Sequence, residues 1–181
     1  MAERVIFHVD ANSAFLSWSA AYRVKVLGEE TDLREVPSVV AGDKASRHSI
    51  ILAKSIPAKK YGIQTGEPLF QALEKCPELV VIPPDYDLYV QASRHFVDML
   101  RQFSPAVEQY SIDEAWVDMT GTQRLWGPPR LAAELMRRRI NEELGFTVNI
   151  GISSNKLLAY GFGDGGGGPT REMLETSLRM E

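Results

Sequence analysis

The clearest strand pattern in the sequence, on which the predicted fold depends, is Ala106-Val-Glu-Gln-Tyr-Ser-Ile-Asp-Glu-Ala-Trp-Val-Asp-Met119. Apolar and polar residues alternate on both sides of its centre, and this period of two is typical of half-buried strands. The stretch therefore predicts a hairpin with the adjacent acids Asp113 and Glu114 at its turn. Two neighbouring carboxylates repel each other unless a cation lies between them. The pair is either a candidate metal site or an ordinary solvated turn.

A third acid stands at the end of an apolar segment near the N-terminus. Arg4-Val-Ile-Phe-His-Val-Asp10 has strand character, and a helical pattern opens at Ala11-Asn-Ser13. Asp10 is thus expected at the carboxyl end of a central strand. His8, two positions earlier on the same strand face, is either a core histidine or a neighbour of the site.

The order of the elements indicates the fold class. Strand, helix, acidic hairpin, helix and strand follow one another as in an α+β, ferredoxin-like split βαβ arrangement with helices on one face of the sheet. There the first strand can lie beside the hairpin, which would bring Asp10 close to Asp113 and Glu114. Ligation by oxygen alone suits a hard cation, above all Mg²⁺.

Periodicity and breakers predict the remaining elements. They are a helix capped by Asn12 and ending near Leu27 before Gly28, strands at 39–40 and 49–53, short helices at 57–61 and 68–75, a strand at 79–82, helices at 85–103 and 128–144 with Gly145 as the C-terminal cap, a strand at 147–152 and a helical turn at 156–159.

Composition restricts the class of protein. The 181 residues, 44% hydrophobic and 24% charged, fit one globular domain with or without a small appendage. No segment has the length of a membrane span or the pattern of a signal peptide, and the single cysteine, Cys76, is expected to be a free thiol. We therefore expect a cytoplasmic protein. The net charge of −4 does not favour a stand-alone DNA-binding surface.

Three ordered segments carry a resemblance to a known family. Val9-Asp-Ala-Asn-Ser-Ala-Phe15, Tyr110-Ser-Ile-Asp-Glu-Ala115 and Gly151-Ile-Ser-Ser-Asn-Lys-Leu-Leu-Ala159 resemble the signature segments of the Y-family of translesion DNA polymerases, most closely its bacterial polymerase IV branch. The resemblance runs from about residue 4 to residue 159. It implies a palm at 1–37 and 76–159, with a small fingers subdomain at 38–75.

The resemblance also implies a chemistry. Asp10, Asp113 and Glu114 fall on the family's metal-binding carboxylates, and the carbonyl of Ala11 on a further ligand. The implied reaction is a two-metal transfer of a deoxynucleotide to a primer 3′-hydroxyl, with two Mg²⁺ ions. The implied partners are a deoxynucleoside triphosphate, primer-template DNA and, in the full-length relative, a sliding clamp, with no membrane.

The family's nucleotide-binding positions match this chain in part. Ser13, Ala14 and Phe15 fall on the segment beneath the sugar, where an aromatic ring acts as a steric gate against a 2′-hydroxyl. Many relatives hold the triphosphate with a tyrosine and an arginine where this chain has Ile56 and Lys59. Lysine neutralises phosphate as a point charge rather than as a bidentate fork.

Other side chains are candidates for the hydrogen bond to the triphosphate that Ile56 cannot donate. Ser55, Lys54 and Arg47 are the nearby polar and basic residues of the predicted fingers. Lys156 either faces phosphate or template or is solvated at the start of a helix. Ser111 and Tyr110 are expected to orient the acidic turn.

The resemblance stops after Ala159. Relatives continue into a further phosphate-contacting lysine, a thumb and a little-finger domain, whereas the sequence of residues 160–181 predicts a glycine-rich linker followed by a short amphipathic helix at 170–180. The sequence thus predicts a truncated palm-and-fingers core with weak DNA affinity. The alternatives are a non-catalytic fragment that binds DNA or protein, and a palm-type nucleotide cyclase. Phe15 argues against the cyclase, because its ring would obstruct a ribonucleotide.

Overall fold

The computed structural model describes residues 4–42 and 48–163, so the predictions for Arg47 and for residues 164–181 lie outside it. In chain order the elements are β1 (Ile6–Ala11), α1 (Ala14–Lys25), β2 (Ser38–Ala41), β3 (Ile51–Lys54), α2 (Ile56–Lys60), α3 (Leu69–Lys75), β4 (Val80–Ile82), α4 (Tyr86–Arg101), β5 (Val107–Gln109), β6 (Glu114–Asp118), α5 (Gln123–Trp126), α6 (Pro129–Arg139), a π-helical turn (Ile140–Leu144), β7 (Val148–Ser153) and α7 (Lys156–Gly163).

The chain forms two compact units. The first contains the described parts of Met1–Ala11, His95–Glu143 and Thr147–Glu181, and the second those of Asn12–Arg94 and Leu144–Phe146. The predicted fingers, 38–75, fall wholly in the second unit, and their division from the palm stays a prediction. In the part of the chain described here, no helix has the length and apolarity to cross a membrane.

An antiparallel sheet in the order β5-β6-β1-β7 organises the first unit. Strands β1 and β5 run in the same direction with β6 between them, and β6 and β7 run in the same direction with β1 between them. This interleaving is the split βαβ arrangement, so the predicted α+β class is confirmed. The hairpin is confirmed as β5–β6, in which Val107 opposes Val117 and Gln109 opposes Ala115.

Side-chain alternation gives the two faces of this sheet different characters. One face carries fully buried apolar residues of the two central strands: Phe7, Val9, Ala115 and Val117. The opposite face carries polar and aromatic residues of the same strands: His8, Asp10, Glu114 and Trp116. Helix α7 contacts β1 and β7.

A three-stranded sheet in the order β3-β2-β4 organises the second unit. Strand β2 pairs antiparallel with β3 and parallel with β4. On one side, Val39, Ala41 and Ile51 join a buried cluster with residues of α2 and α3. On the other, Val40 and Ala53 pack with residues of α1. Cys76 is a buried free thiol, as predicted, and its burial raises the pKa of the thiol.

The start of α1 differs from the sequence prediction. The helix is capped by Ser13 rather than Asn12, and Ser13 adopts the left-handed conformation (φ 45°, ψ 53°) without a side-chain cap. The carbonyl of Asn12 instead accepts a hydrogen bond from Ser17 Oγ at 2.6 Å. Because left-handed geometry in a residue with a Cβ is uncommon, sequence pattern alone favours Asn12 as the cap.

The predicted helix at 128–144 is α-helical from Pro129 to Arg139 and continues as a π-helical turn to Leu144. Gly145 follows with φ +86°, the left-handed geometry of a glycine C-terminal cap. Within the second unit, Arg34 donates to the Gly145 carbonyl at 2.6 Å and to Asp32 Oδ2 at 2.7 Å. The hydrogen bond from Arg34 holds the pKa of Asp32 below its ordinary value.

Candidate active site

The main chain brings the three predicted acids to one end of β1 and β6. Asp10 and Glu114 are directly opposed in the antiparallel pair. Opposed residues of such a pair project to the same face of the sheet. The amide of Ala11 donates to the carbonyl of Asp113 at 3.0 Å. Strand register therefore places Asp10, Ala11, Asp113 and Glu114 together.

The side chains of the acidic hairpin have partners of their own. Ser111 Oγ donates to Asp113 Oδ1 at 2.8 Å, which bears out the expectation that Ser111 orients the turn. Glu114 Oε2 lies 3.2 Å from His8 Nε2. Among residues 4–42 and 48–163, no three His, Cys, Asp or Glu side chains are spaced to share one metal ion. The main chain gathers the acids, while Ser111 and His8 contact the carboxylates of Asp113 and Glu114.

In ligand type, though not in the spacing of the side chains, the donor set at this strand end suits a hard divalent cation. Three carboxylates and the Ala11 carbonyl offer only oxygen, the ligand type that Mg²⁺ and Mn²⁺ prefer. Asp10 and Glu114 share one face through their register. A cation there would offset the repulsion between them, so these four residues are the ones that could hold it.

Asp118, at the opposite end of β6 from Glu114, has a different environment. Burial raises the pKa of this carboxyl, but hydrogen bonding with Thr120 and the positive charge of the Arg4 guanidinium outweigh that effect and hold the pKa below its ordinary value. The Arg4 Nε to Asp118 Oδ2 distance is 3.7 Å. This carboxylate therefore has a cationic partner in Arg4.

His8 belongs to this group, although its sequence context also fits an ordinary core histidine. Its side chain is fully buried, and Nδ1 has no hydrogen-bond partner among residues 4–42 and 48–163. Its ring centroid lies 5.7 Å from that of Trp116 and 5.0 Å from that of Tyr160. The signal in the sequence is its position two residues before Asp10, which puts both on one face.

Lys156 is engaged within the first unit. Its ammonium pairs with the Glu108 carboxylate and lies 5.2 Å from the centroid of the Trp116 ring. The centroid of the Tyr110 ring lies 4.8 Å from that of the Trp116 ring. Lys156 thus has two local partners at the start of α7, and a role toward phosphate or template stays a prediction.

The predicted steric gate lies in the second unit. The ring of Phe15 stacks on Tyr89 with centroids 4.4 Å apart and planes 8° apart, and the ring of Tyr86 is nearly perpendicular to it with centroids 6.3 Å apart. Ala14 beside it is buried. Ser13 supplies the left-handed turn described above. The orientation of the gate ring therefore comes from stacking on α4.

The two predicted triphosphate residues of the second unit have different environments. Ser55 is buried, and its hydroxyl donates to the Val36 carbonyl at 2.8 Å while accepting from the amides of Ala58 and Ser38. It serves as the N-cap of α2. Lys59 is exposed in the last turn of that helix. Lys59 is accordingly the more accessible of the two to an anion.

Comparisons with known proteins agree on one family. The impB/mucB/samB family model matches residues 9–160. DNA polymerase IV of Clostridium acetobutylicum is 53% identical over 156 residues, 86% of this chain and 39% of that protein. DNA polymerase IV of Clostridium kluyveri is 41% identical over 156 residues, 86% of this chain and 37% of that protein. The chain thus spans about two-fifths of the length of the curated relatives it matches.

Solved structures share the fold. An insertion ternary complex of Dbh DNA polymerase matches with a TM-score of 0.76 at 22% identity, covering 97% of this chain and 52% of that one. The DinB structure from Sulfolobus solfataricus matches with a TM-score of 0.71 at 24% identity, covering 88% and 45%. The predicted resemblance is therefore confirmed, and this chain belongs to the impB/mucB/samB family, the Y-family of DNA polymerases.

Proposed function

We propose that this chain is the catalytic core of a DNA-directed DNA polymerase of the polymerase IV kind, acting in translesion synthesis. One observation carries the proposal: the β1–β6 register sets Asp10 opposite Glu114, and the bond from Ala11 to Asp113 fixes the third acid beside them. The names of the curated relatives support the same activity. Because the chain spans only part of those relatives, the activity of the whole protein is part of this proposal.

The acidic strand end would hold the metal ions. Asp10, Asp113 and Glu114 would supply carboxylate oxygens, and Ala11 its carbonyl, to two Mg²⁺ ions. Bound there, the ions would lower the pKa of a primer 3′-hydroxyl and neutralise charge on the triphosphate. The protein's own contribution is to keep these oxygens on one backbone frame, so that little reorganisation is needed during reaction.

The second unit would bind the incoming nucleotide. Phe15, held flat against Tyr89, would lie beneath the sugar and leave no room for a 2′-hydroxyl. Ser13 and Ala14 would line the same segment through their main chain. Lys59 would approach the triphosphate, with Ser55 holding the start of its helix in place. In this role, residues 38–75 are the fingers, and the substrate is a deoxynucleoside triphosphate.

The remaining partners follow from the same proposal. Primer-template DNA would be bound weakly by this part of the chain, because its net charge is −4 and phosphate binding relies on basic excess. A sliding clamp is a proposed partner of the full-length relative. The proposed location is the cytoplasm, where DNA and nucleotides are available in bacteria.

Primer extension tests the catalytic proposal. The chain, in excess over an undamaged primer-template, is supplied with Mg²⁺ and four deoxynucleotides, beside Asp113→Ala and beside Glu74→Ala on an exposed position of α3. We expect extension by the parent and by Glu74→Ala, and none by Asp113→Ala. Absence of extension together with absence of metal-dependent nucleotide binding would leave a non-catalytic fragment and contradict the proposal.

A further inference from the structure

A buried histidine stands behind the acidic strand end. His8 is directly opposed to Trp116, as Asp10 is to Glu114, so all four residues share one face of the sheet. The side chain of His8 is fully buried, whereas that of Glu114 is 22% exposed. An imidazole completely removed from water next to a partly exposed carboxylate needs a physical reason.

The surroundings of the His8 ring give only one of its two nitrogens, Nε2, a polar neighbour among the described residues. Nδ1 is enclosed without a partner, and Nε2 lies 3.2 Å from Glu114 Oε2. Burying a polar atom without a partner destabilises the folded state. An apolar ring would fill the same space beside Trp116 and Tyr160 without that cost. The contact with Glu114 is the contribution that an apolar residue could not make.

The direction of this hydrogen bond follows from its surroundings. An ionised carboxylate can only accept, so Nε2 must carry the hydrogen and donate. Nδ1 has no acceptor within reach, and a neutral ring protonated on Nε2 leaves no donor buried without a partner there. Hydrogen bonds to an anionic acceptor are stronger than those between neutral groups. The rings of Trp116 and Tyr160 restrain the imidazole that makes this bond.

We propose that His8 is a positioning residue for the divalent-cation site. By donating from Nε2 to Oε2, it fixes the carboxylate of Glu114 on the face that Asp10 shares and restricts its rotation. Partners of this kind orient the ligands of metal sites, and removing them commonly weakens metal affinity 10–100-fold. The inference rests on the proposed function, because it assigns a role to His8 only if these acids bind a cation.

Mn²⁺ binding to the whole chain tests the inference without any polymerisation. The free-ion electron paramagnetic resonance signal is titrated for the parent, His8→Phe, His8→Gln and His8→Asn, and thermal unfolding monitors the fold. Phenylalanine keeps the ring contacts and removes the donor. The amide nitrogen of glutamine reaches about as far as Nε2, whereas that of asparagine stops near Nδ1. We expect roughly tenfold weaker binding for Phe and Asn, and near-parental binding for Gln.

A double-mutant cycle separates positioning from a merely structural role. Glu114→Gln should weaken Mn²⁺ binding, and adding His8→Phe to it should cause no further loss, because the carboxylate that His8 orients is gone. Additive losses would contradict the inference. So would parental affinity in folded His8→Phe, or loss of folding in both the Gln and Asn variants, which would show that His8 acts through packing. A parent chain that binds no Mn²⁺ would overturn the metal site itself, a separate failure.

Discussion

The acidic end of β1 and β6 and the aromatic cluster around Phe15 are positioned by different forces. The acids are held by a strand ladder: their places follow from main-chain hydrogen bonds on both sides of β1. The ring of Phe15 is held by side chains: it stacks on Tyr89, whose hydroxyl lies 3.0 Å from Ser19 Oγ. A ladder tolerates changes of side chain, whereas a stack depends on each ring.

The difference predicts how each region fails. In the ladder, replacing one acid should remove its proposed contribution to metal binding and leave the frame intact, because the backbone hydrogen bonds do not involve the side chain. In the stack, replacing a supporting ring changes the orientation of Phe15 without touching the substrate. The following substitutions test this distinction, beginning with the largest effect.

Asp10→Asn should separate chemistry from structure most sharply. Asparagine keeps the shape but loses the negative charge that a divalent cation requires. We expect primer extension to fall about a thousandfold, roughly 4 kcal/mol of transition-state stabilisation. Single-turnover rates measure this effect, and chemical denaturation measures stability. A parental extension rate would remove Asp10 from the site, and a large loss of stability would show that its side chain supports the frame.

Phe15→Ala should relax the choice of sugar. Without the ring, a 2′-hydroxyl has room, so the preference for deoxynucleotides over ribonucleotides should fall about a hundredfold. Phe15→Tyr is the matched control, because it keeps the ring and should keep the preference. The ratio of the two incorporation efficiencies is the measurement. Unchanged preference in the alanine variant would make Phe15 a packing residue of the second unit.

Tyr89→Phe should weaken the stack by a smaller amount. The ring remains, but the buried hydroxyl bond with Ser19 is lost, and we expect a loss of about 1 kcal/mol in the free energy of unfolding. Urea denaturation of Tyr89→Phe, Ser19→Ala and the double variant measures the coupling. Fully additive losses would show that the two hydroxyls do not stabilise each other.

Asp32→Asn should have the smallest effect, limited to acid pH. The folded-state pKa of Asp32 is depressed by Arg34, so the pair contributes stability above the unfolded pKa, about 4, and loses it as the pH falls through the folded value. The pair is partly exposed, so we expect a loss below about 1 kcal/mol at neutral pH. The parent should lose more stability than the variant on acidification.

Denaturation curves between pH 7 and pH 2 measure the difference between parent and Asp32→Asn. Asp87→Asn, at an exposed position in the first turn of α4, is the control. Parallel pH profiles for the parent and Asp32→Asn would contradict the contribution of the pair.

Sequence pattern predicted the strands of the ladder because the alternation of apolar and polar residues that marks a strand is a local feature of the sequence. Alternation predicted the β5–β6 hairpin, and an apolar run ending in Asp10 predicted β1. Element order then predicted the split βαβ sheet, since few arrangements bury those strands without crossing connections. The proximity of Asp10 to Asp113 and Glu114 followed from these steps, although Asp10 lies far from them in the chain, whereas the direct opposition of Asp10 and Glu114 is seen only in the structure.

Side-chain contacts were not predictable in the same way. The bond from His8 to Glu114 joins residues 106 positions apart and depends on rotamers that no sequence pattern encodes. The stack of Phe15 on Tyr89 depends on how α4 packs within the second unit. The left-handed Ser13 also follows no propensity rule, because tertiary structure imposes it on a residue that rarely adopts it.

Strand β1 pairs with β6 on one side and with β7 on the other, so an inserted or deleted residue would disturb both pairings. Neighbouring residues of a strand project to opposite faces, so a codon inserted or deleted before Val9 would turn Asp10 and Val9 each to the other face of the sheet. The Asp10 carboxylate would then face the buried apolar layer to which Val9 belongs, and it would leave the face that it shares with Glu114. A point substitution in this strand changes one side chain and leaves the other positions in place. In a systematic mutational scan, we therefore expect single-codon insertions and deletions in β1 to abolish folding and metal binding together.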